Sequence, residues 1–259
     1  MKILFNKYEG TGNDFIIIKV DAFAGPLPDA LAIKKLCDRR FGIGADGLIV
    51  VEECSGYDFR MIYFNADGSR GAMCGNGGRC ASHYAMRHIT GFRDLTFMAD
   101  DGPHTAKHIS DNVIELSIRD VQMTSETPDG ILVNTGVPHL VVFADDIEDT
   151  DLVTFARPLR YSDRYAPDGV NVNLVAVTGD SLCVRTYERG VEDETLSCGT
   201  GVTASAIAAA MTGRISIDDI RIRVRGGSLS VRLTLTGTGA SDISLTGPST
   251  FVFSGETEI

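Results

Sequence analysis

Two cysteines stand in the same local setting. Cys74 opens Cys74-Gly75-Asn76-Gly77, and Cys198 opens Cys198-Gly199-Thr200-Gly201. They lie 124 residues apart. The same offset carries Thr11-Gly12 onto Thr135-Gly136, Tyr63 onto Tyr187, and Asp46-Gly47 onto Val170-Asn171. Four anchors at one offset indicate an internal duplication, with one cysteine at the same place in each half. Two thiols flanking one cleft are an arrangement for moving a proton from one face of a carbon to the other.

The setting of each cysteine supports that chemistry. Each precedes a glycine-rich helix start, where backbone N–H groups lack intrahelical partners and the helix dipole is positive. A thiolate is favoured there. The N–H groups of Gly75, Asn76, Gly199 and Thr200 form an anion site, with glycine allowing close backbone approach. A substrate carboxylate held between two such ends places its α-carbon between the sulfurs. One thiolate then removes the α-proton while the opposite thiol delivers a proton to the other face. Preorganised N–H dipoles in a dry cleft stabilise the enediolate charge that develops. The sequence carries no metal-ligand cluster and no pyridoxal-lysine motif, so no cofactor and no metal are expected.

Other uses of these residues fit less well. Gly199–Ala204 matches G-x-G-x-x-A, with Asp218 and Asp219 about twenty residues on. The preceding Glu192-Asp193-Glu194 is acidic and not a buried strand, which argues against a dinucleotide site. Cys37, Cys54, Cys80 and Cys183 are read as inert small hydrophobes. None of the six cysteines forms a Cys-x-x-Cys pair, so neither a zinc ribbon nor a thioredoxin-type site is suggested.

The elements that must position the cysteines are mostly short strands. In the first half they are expected at 3–8, 15–20, 48–52, 59–65, 95–98 and 113–118. In the second half they are expected at 131–134, 140–143, 174–177, 182–188, 220–224 and 229–235. Leu229, Val231, Leu233 and Leu235 alternate onto one face. A helix follows each cysteine, about 77–89 stopping at Gly91, and about 201–211 stopping at Gly213. The second is small or apolar nearly all round and must be buried on every side. A third helix, about 29–39, is expected at the periphery. The fold class is α+β: two pseudo-symmetric domains, each a curved mixed β-sheet wrapped around a central helix. The polar stretch 120–130 marks the boundary. The N-terminal domain is read as 1–121, joined by a returning C-terminal strand within 248–259 that contains Phe251-Val252-Phe253. The C-terminal domain is 122–247.

A chain of 259 residues accommodates two domains of about 120 residues each. Its hydrophobic fraction of 43% is that of a globular protein. The net charge of -11 argues against nucleic acid or an anionic membrane as a partner. No stretch approaches the ~18–20 apolar residues of a membrane span, and the first residues hold no apolar signal region. A cytoplasmic protein acting on a small molecule is expected, and a homodimer is compatible with the sequence.

With these residues in view, the chain resembles the diaminopimelate epimerase family over essentially its whole length. The matching stretches are Gly10–Phe15, Gly42–Gly47, Phe64–Ser69, Cys74–Cys80, Gly169–Val172, Glu188–Gly190, Glu194-Thr195 and Cys198–Gly201. Asn76 separates it from the related proline racemases, which carry histidine there. The resemblance implies cofactor-independent interconversion of LL- and meso-diaminopimelate, with Cys74 and Cys198 as the acid/base pair. It implies that Gly75, Asn76, Gly199 and Thr200 hold the reacting carboxylate and that Asn13 orients the substrate. Asn65, Asn171, Glu188 and Arg189 would read the distal end, where arginine suits a carboxylate and glutamate an ammonium. His139 would support the second cysteine. Glu188 and Arg189 can both serve only if the strand ends there, since neighbours in a strand face opposite ways.

Three departures touch the distal end. Val137 stands where the family usually has asparagine. The stretch between Gly190 and Glu194 is one residue longer than usual. Gly47 stands where some members place glutamine. Another racemase of the same fold is the alternative that Val137 favours. A thiol redox protein pairing Cys74 with Cys198 is the alternative from a different class, and it requires Cα atoms within about 7 Å.

Overall fold

The computed structural model describes residues 2–22, 26–71 and 73–258. The chain divides into two compact units, Met1–Leu116 with Gly247–Ile259, and Ser117–Thr246.

The first unit holds β1 (Lys2–Gly10), β2 (Asn13–Lys19), α1 (Ala30–Cys37), β3 (Gly47–Cys54), β4 (Tyr57–Asn65), α2 (Gly75–Ala85), β5 (Asp94–Ala99), β6 (Gly102–Ser110) and β7 (Val113–Ser117). The second holds β8 (Thr124–Thr127), β9 (Gly130–Asn134), β10 (Pro138–Phe143), α3 (Leu152–Arg160), β11 (Asn171–Thr178), β12 (Ser181–Glu188), β13 (Asp193–Thr195), α4 (Gly199–Met211), β14 (Asp219–Val224) and β15 (Gly227–Leu235). The chain leaves it along β16 (Ala240–Pro248) and ends in β17 (Thr250–Glu258).

The 124-residue offset is written into the backbone. It carries β3 residue for residue onto β11, and the start of α2 onto the start of α4. The parallel pairing of Phe15 with Gly47 in β2/β3 becomes that of His139 with Asn171 in β10/β11. In each unit an antiparallel hairpin follows, and its second strand pairs in parallel with the strand after the helix: β4 with β5, and β12 with β14. β1 is the first strand among the described residues. The C-terminal β17 lies beside it, pairing antiparallel from Lys2↔Glu258 to Glu9↔Thr250. It occupies the position that β8 holds beside β9.

In each unit the strands wrap a central helix. Every residue of α2 is buried, as is α4 from Gly201 to Ala209. Thr203 and Ser205 are tolerated inside because their hydroxyls donate back to the carbonyls of Gly199 (2.9 Å) and Gly201 (2.7 Å). The outer face of the first sheet is covered by α1, where Ile33 and Leu36 pack with Ile16, Ile18, Leu48 and Val50. α3 does the same in the second unit against Leu140, Val172 and Leu174. Strands covered on both faces read as continuous apolar runs, which is why Phe15–Ile18 and Leu48–Val51 do not alternate.

The expected strands and helices are present, with differences at their edges. α2 begins two residues early because Cys74 caps it. It ends in a wider turn over Met86–Thr90, closed by Gly91 N–H on the Met86 carbonyl at 3.1 Å. β6, β8, β13, β16 and α3 were not anticipated. β6 carries Pro103 and buries only His104 and Ala106, so its apolar signal is faint. α3 holds Pro158 in its interior, an ordinary breaker, yet Asp151 caps it and Leu152 and Ala156 anchor it.

Candidate active site

Cys74 and Cys198 occupy the same backbone position. Cys74 caps α2 with φ −110° and ψ 116°, and Cys198 caps α4 with φ −123° and ψ 108°. The first helical hydrogen bonds run from Gly78 to the Cys74 carbonyl (2.7 Å) and from Val202 to the Cys198 carbonyl (2.9 Å). Gly75, Asn76, Gly199 and Thr200 therefore lie in first turns, whose N–H groups have no carbonyl four residues back within the helix.

Around Cys74 the partners are amides backed by charges. Cys74 Sγ accepts from Gly77 N–H (3.4 Å), and its thiol donates to Asn13 Oδ1 (3.7 Å). Asn76 Nδ2 donates to the same oxygen (3.3 Å), and Asn13 Nδ2 donates to Asp46 Oδ2 (2.7 Å). The tight turn Thr11-Gly12 (φ 52° and 84°) sets Asn13 at the start of β2. The parallel β2/β3 pairing brings Asp46 alongside. Arg39 bonds Asp46 (2.7 Å) and forks Asp14 (3.0 and 2.7 Å), and Asp14 pairs with buried Lys7 (2.7 Å). Burial opposes the charge on Asp14, but Arg39 and Lys7 outweigh it and hold its carboxyl at about 2.

From Cys198 a chain of uncharged groups runs back into the unit. Thr200 Oγ1 lies 3.4 Å from Cys198 Sγ and 3.0 Å from His139 Nε2. Asn173 Nδ2 donates to His139 Nδ1 (3.1 Å), and Asn173 Oδ1 accepts from Thr186 Oγ1 (3.0 Å). Since the amide donates to Nδ1, the ring proton sits on Nε2 and is given to Thr200 Oγ1. The Thr200 hydroxyl proton is then directed at Cys198 Sγ. Burial, helped by the positive charge of Arg189, pushes His139 down to about 3, so the ring is neutral at pH 7. A Cβ on Gly201 would meet Asn173 Oδ1 at 2.4 Å, so glycine is what lets α4 close over the pair.

The remaining expected site residues lie at strand ends. Asn171 opens β11; its Nδ2 donates to the Pro138 carbonyl (3.2 Å), and its Oδ1 accepts from Arg189 N–H (2.8 Å). β12 ends at Glu188, and Arg189 enters a turn through Gly190 (φ 93°), as dual use of the two residues requires. Asn65 ends β4 and donates to Ser69 Oγ (3.0 Å). The hydrogen bonds thus join Cys74 with Asn13 and Asn76, Cys198 with Thr200 and His139, and Asn171 with Arg189. Burial pushes the Cys37 and Cys80 thiols up to about 11 and about 12, which leaves both inert at neutral pH.

Sequence reasoning did not single out Arg39, Asp46, Arg79, Asn173 or Thr186 as site residues. Asn173 carried a signal, since it is a carboxamide inside the apolar run Val172–Val177. The structure also accounts for two of the departures. A Cβ on Gly47 would lie 2.6 Å from Tyr63 Cε2 and 2.7 Å from the Phe64 carbonyl oxygen, so a glutamine does not fit beside this tyrosine. The longer stretch after Gly190 is a closed turn with Glu192 at φ 59°. Burial opposes the Glu192 charge, but the Gly190 amide, the Tyr161 hydroxyl and Arg160 hold it at about 2.

The model of the diaminopimelate epimerase family matches residues 5–117 and 131–252. The chain belongs to the diaminopimelate epimerase family. It is 45% identical to the diaminopimelate epimerase of Flavobacterium psychrophilum over 95% of this chain and 97% of that one. It is 38% identical to that of Methanocella arvoryzae over 100% and 98%. Among solved structures, a PhzF-family phenazine biosynthesis protein of Bacillus anthracis superposes with a TM-score of 0.76 at 14% identity, over 100% of both chains. A hydroxyproline epimerase of Agrobacterium vitis does so with 0.73 at 15%, over 99% and 92%. At those identities the likeness is one of fold.

Proposed function

We propose that this chain interconverts LL- and meso-diaminopimelate at one α-carbon without a cofactor, using Cys74 and Cys198 as its acid/base pair. The observation that carries the assignment is the repeated cap. Within a family of epimerases, this chain sets a cysteine with the same backbone conformation before each of its two buried helices.

One sulfur, as thiolate, forms an S–H bond as the Cα–H bond breaks. The opposite thiol gives up its proton as the new Cα–H bond forms on the other face. The charge that moves onto the carboxylate is met by the first-turn N–H groups of Gly75, Asn76, Gly199 and Thr200. Asn13 orients the reacting end beside Cys74. His139 acts through Thr200 on Cys198. Asn65, Asn171, Glu188 and Arg189 receive the distal amino and carboxylate groups. Residues 1–121 with 248–259 form one epimerase domain and 122–247 the other. The net charge of -11 disfavours nucleic acid and an anionic membrane as partners. A small-molecule substrate and a cytoplasmic location belong to the same reading, and a homodimer is compatible with it.

The test is incubation with LL-diaminopimelate in heavy water without added cofactor. Deuterium enters one α-position as the meso isomer appears. Inversion of proline, glutamate, aspartate or lysine with diaminopimelate untouched would point to another racemase.

A further inference from the structure

The side chain of Arg79 is the largest of those fully buried in the described residues. It lies on α2, one turn beyond Cys74. Among the described residues no carboxylate forms an ion pair with it; its partners are oxygens of neutral groups. Nη2 donates to Asn76 Oδ1 (3.0 Å) and to Thr11 Oγ1 (3.5 Å). Nη1 donates to the Gly75 carbonyl (3.3 Å), and Nε to the Pro248 carbonyl (3.3 Å). Gly10 is packed against it, since a Cβ there would lie 3.4 Å from Nη2 and 3.2 Å from the Pro248 oxygen.

A buried guanidinium without a fixed counter-ion is costly unless an anion comes near it in the working state. The residue it grips most closely is Asn76. With Oδ1 turned to Arg79, Asn76 must point Nδ2 at Asn13 Oδ1, the oxygen that also faces Cys74 Sγ. Asn13 is fixed from its other side by Asp46. Two amides are thus locked in one orientation between a buried cation and a carboxylate. The duplicated position in the second unit is Thr203, a neutral residue bonded to its own helix. The cation is therefore a feature of the Cys74 half alone.

We infer that Arg79 is the positioning residue of the Cys74 half-site, orienting Asn76 and Asn13 and standing as a buried counter-charge to the Cys74 thiolate. The ionisable groups around it are the Cys74 and Cys80 thiols on its own helix and Glu9 on β1. Beyond Asn13 lie Asp46, Asp14, Arg39 and Lys7. The orienting role rests on Cys74 being an acid/base residue. The counter-charge does not, because it acts on the thiol whether or not any substrate turns over.

The experiment separates the two. In the full-length protein, alkylation of Cys74 and of Cys198 by iodoacetamide is followed against pH, with each site quantified by peptide mass spectrometry. In Arg79→Met the Cys74 rate at pH 7 is expected to fall about tenfold and its pH midpoint to rise by about one unit, with Cys198 unmoved. Arg79→Lys keeps the charge but loses the fork that holds Asn76 and the two carbonyls. It is expected to leave the Cys74 midpoint in place and to lower kcat for diaminopimelate more than tenfold with KM nearly unchanged. An unshifted Cys74 midpoint in folded Arg79→Met, or equal shifts at both cysteines, overturns the counter-charge. Wild-type kcat in Arg79→Lys overturns the orienting role, and this variant decides if Arg79→Met does not fold. If wild-type protein fails to epimerise diaminopimelate, the proposed function fails and the alkylation result still stands or falls alone.

Discussion

Asn13 and Val137 stand at the same point of the duplicated chain, two residues after Thr11 and Thr135. Asn13 links Cys74 to Asp46 and Arg39, while Val137 sits in a turn and links nothing polar to Cys198. The second half draws its polar support from the strand interior instead. His139, Asn173 and Thr186 stand where the first half has Phe15, Ile49 and Ile62. Duplication has kept the backbone that caps a helix with a thiol and has let the surroundings of the thiol diverge. One half orients its groups with buried and half-buried charges. The other uses uncharged donors and acceptors in a chain, with the charge of Arg189 acting on His139. Charged support is strong but answers to pH. A neutral buried chain is indifferent to salt but tolerates no missing member.

The largest effect is the one in which the halves are alike. Cys74→Ala and Cys198→Ala should each lower kcat about a thousandfold or more, by steady-state assay of epimerisation. A single sensitive cysteine would end the symmetry of the account.

The next contrasts the supports. Asp46→Leu removes the acceptor that orients Asn13 and should lower kcat about a hundredfold. Thr186→Val, at the far end of the neutral chain, should lower it only severalfold. Reversal of that order would place the stronger support on the Cys198 side.

Stability should reverse the ranking. Asn173→Leu leaves His139 Nδ1 and Thr186 Oγ1 buried without partners, which costs about 2–4 kcal/mol in urea denaturation. The pair of Arg223 with Glu148 is exposed and screened by solvent, so Glu148→Gln serves as the control and should leave the urea midpoint nearly unchanged.

The pH response divides the halves by window. His139 is held at about 3, below its ordinary value of about 6.5. The unfolded chain therefore takes up a proton that the folded chain refuses, and stability is lost as pH falls from about 6.5 toward 3. Asp14 is held at about 2 against an ordinary value near 4, so its contribution, on the order of 2 kcal/mol, is lost later, as pH falls from about 4 through 2. Urea midpoints across pH should flatten in the upper window for His139→Gln and in the lower for Asp14→Asn. Flattening in the opposite windows would refute the assignment. The smallest effect belongs to Val137→Asn, which should change stability by less than about 0.5 kcal/mol. It should shift KM for diaminopimelate severalfold, with kcat retained.

Much of this was legible along the chain. The offset between Cys74 and Cys198 led to the two capped helices and the repeated strands around them, and Phe251-Val252-Phe253 marked the returning C-terminal strand. Apolar runs such as Phe15–Ile18 announced strands covered on both faces. β6 escaped because Pro103, Lys107 and His108 dilute its pattern, and α3 because Pro158 sits inside it. The supporting residues escaped for another reason. Asp46 touches Asn13 only once β2 and β3 align in parallel, and His139 meets Asn173 only across β10 and β11. Cross-strand neighbours depend on register, which one sequence leaves implicit.

The most direct test of the two-base claim is α-proton exchange in heavy water by the single-cysteine variants, followed by NMR with each isomer separately. Each variant is predicted to exchange the α-hydrogen of one isomer without inverting it and to leave the other isomer unlabelled. The isomers should trade places between Cys74→Ala and Cys198→Ala. Inversion by either variant at the wild-type rate, or exchange of the same isomer by both, would contradict the account.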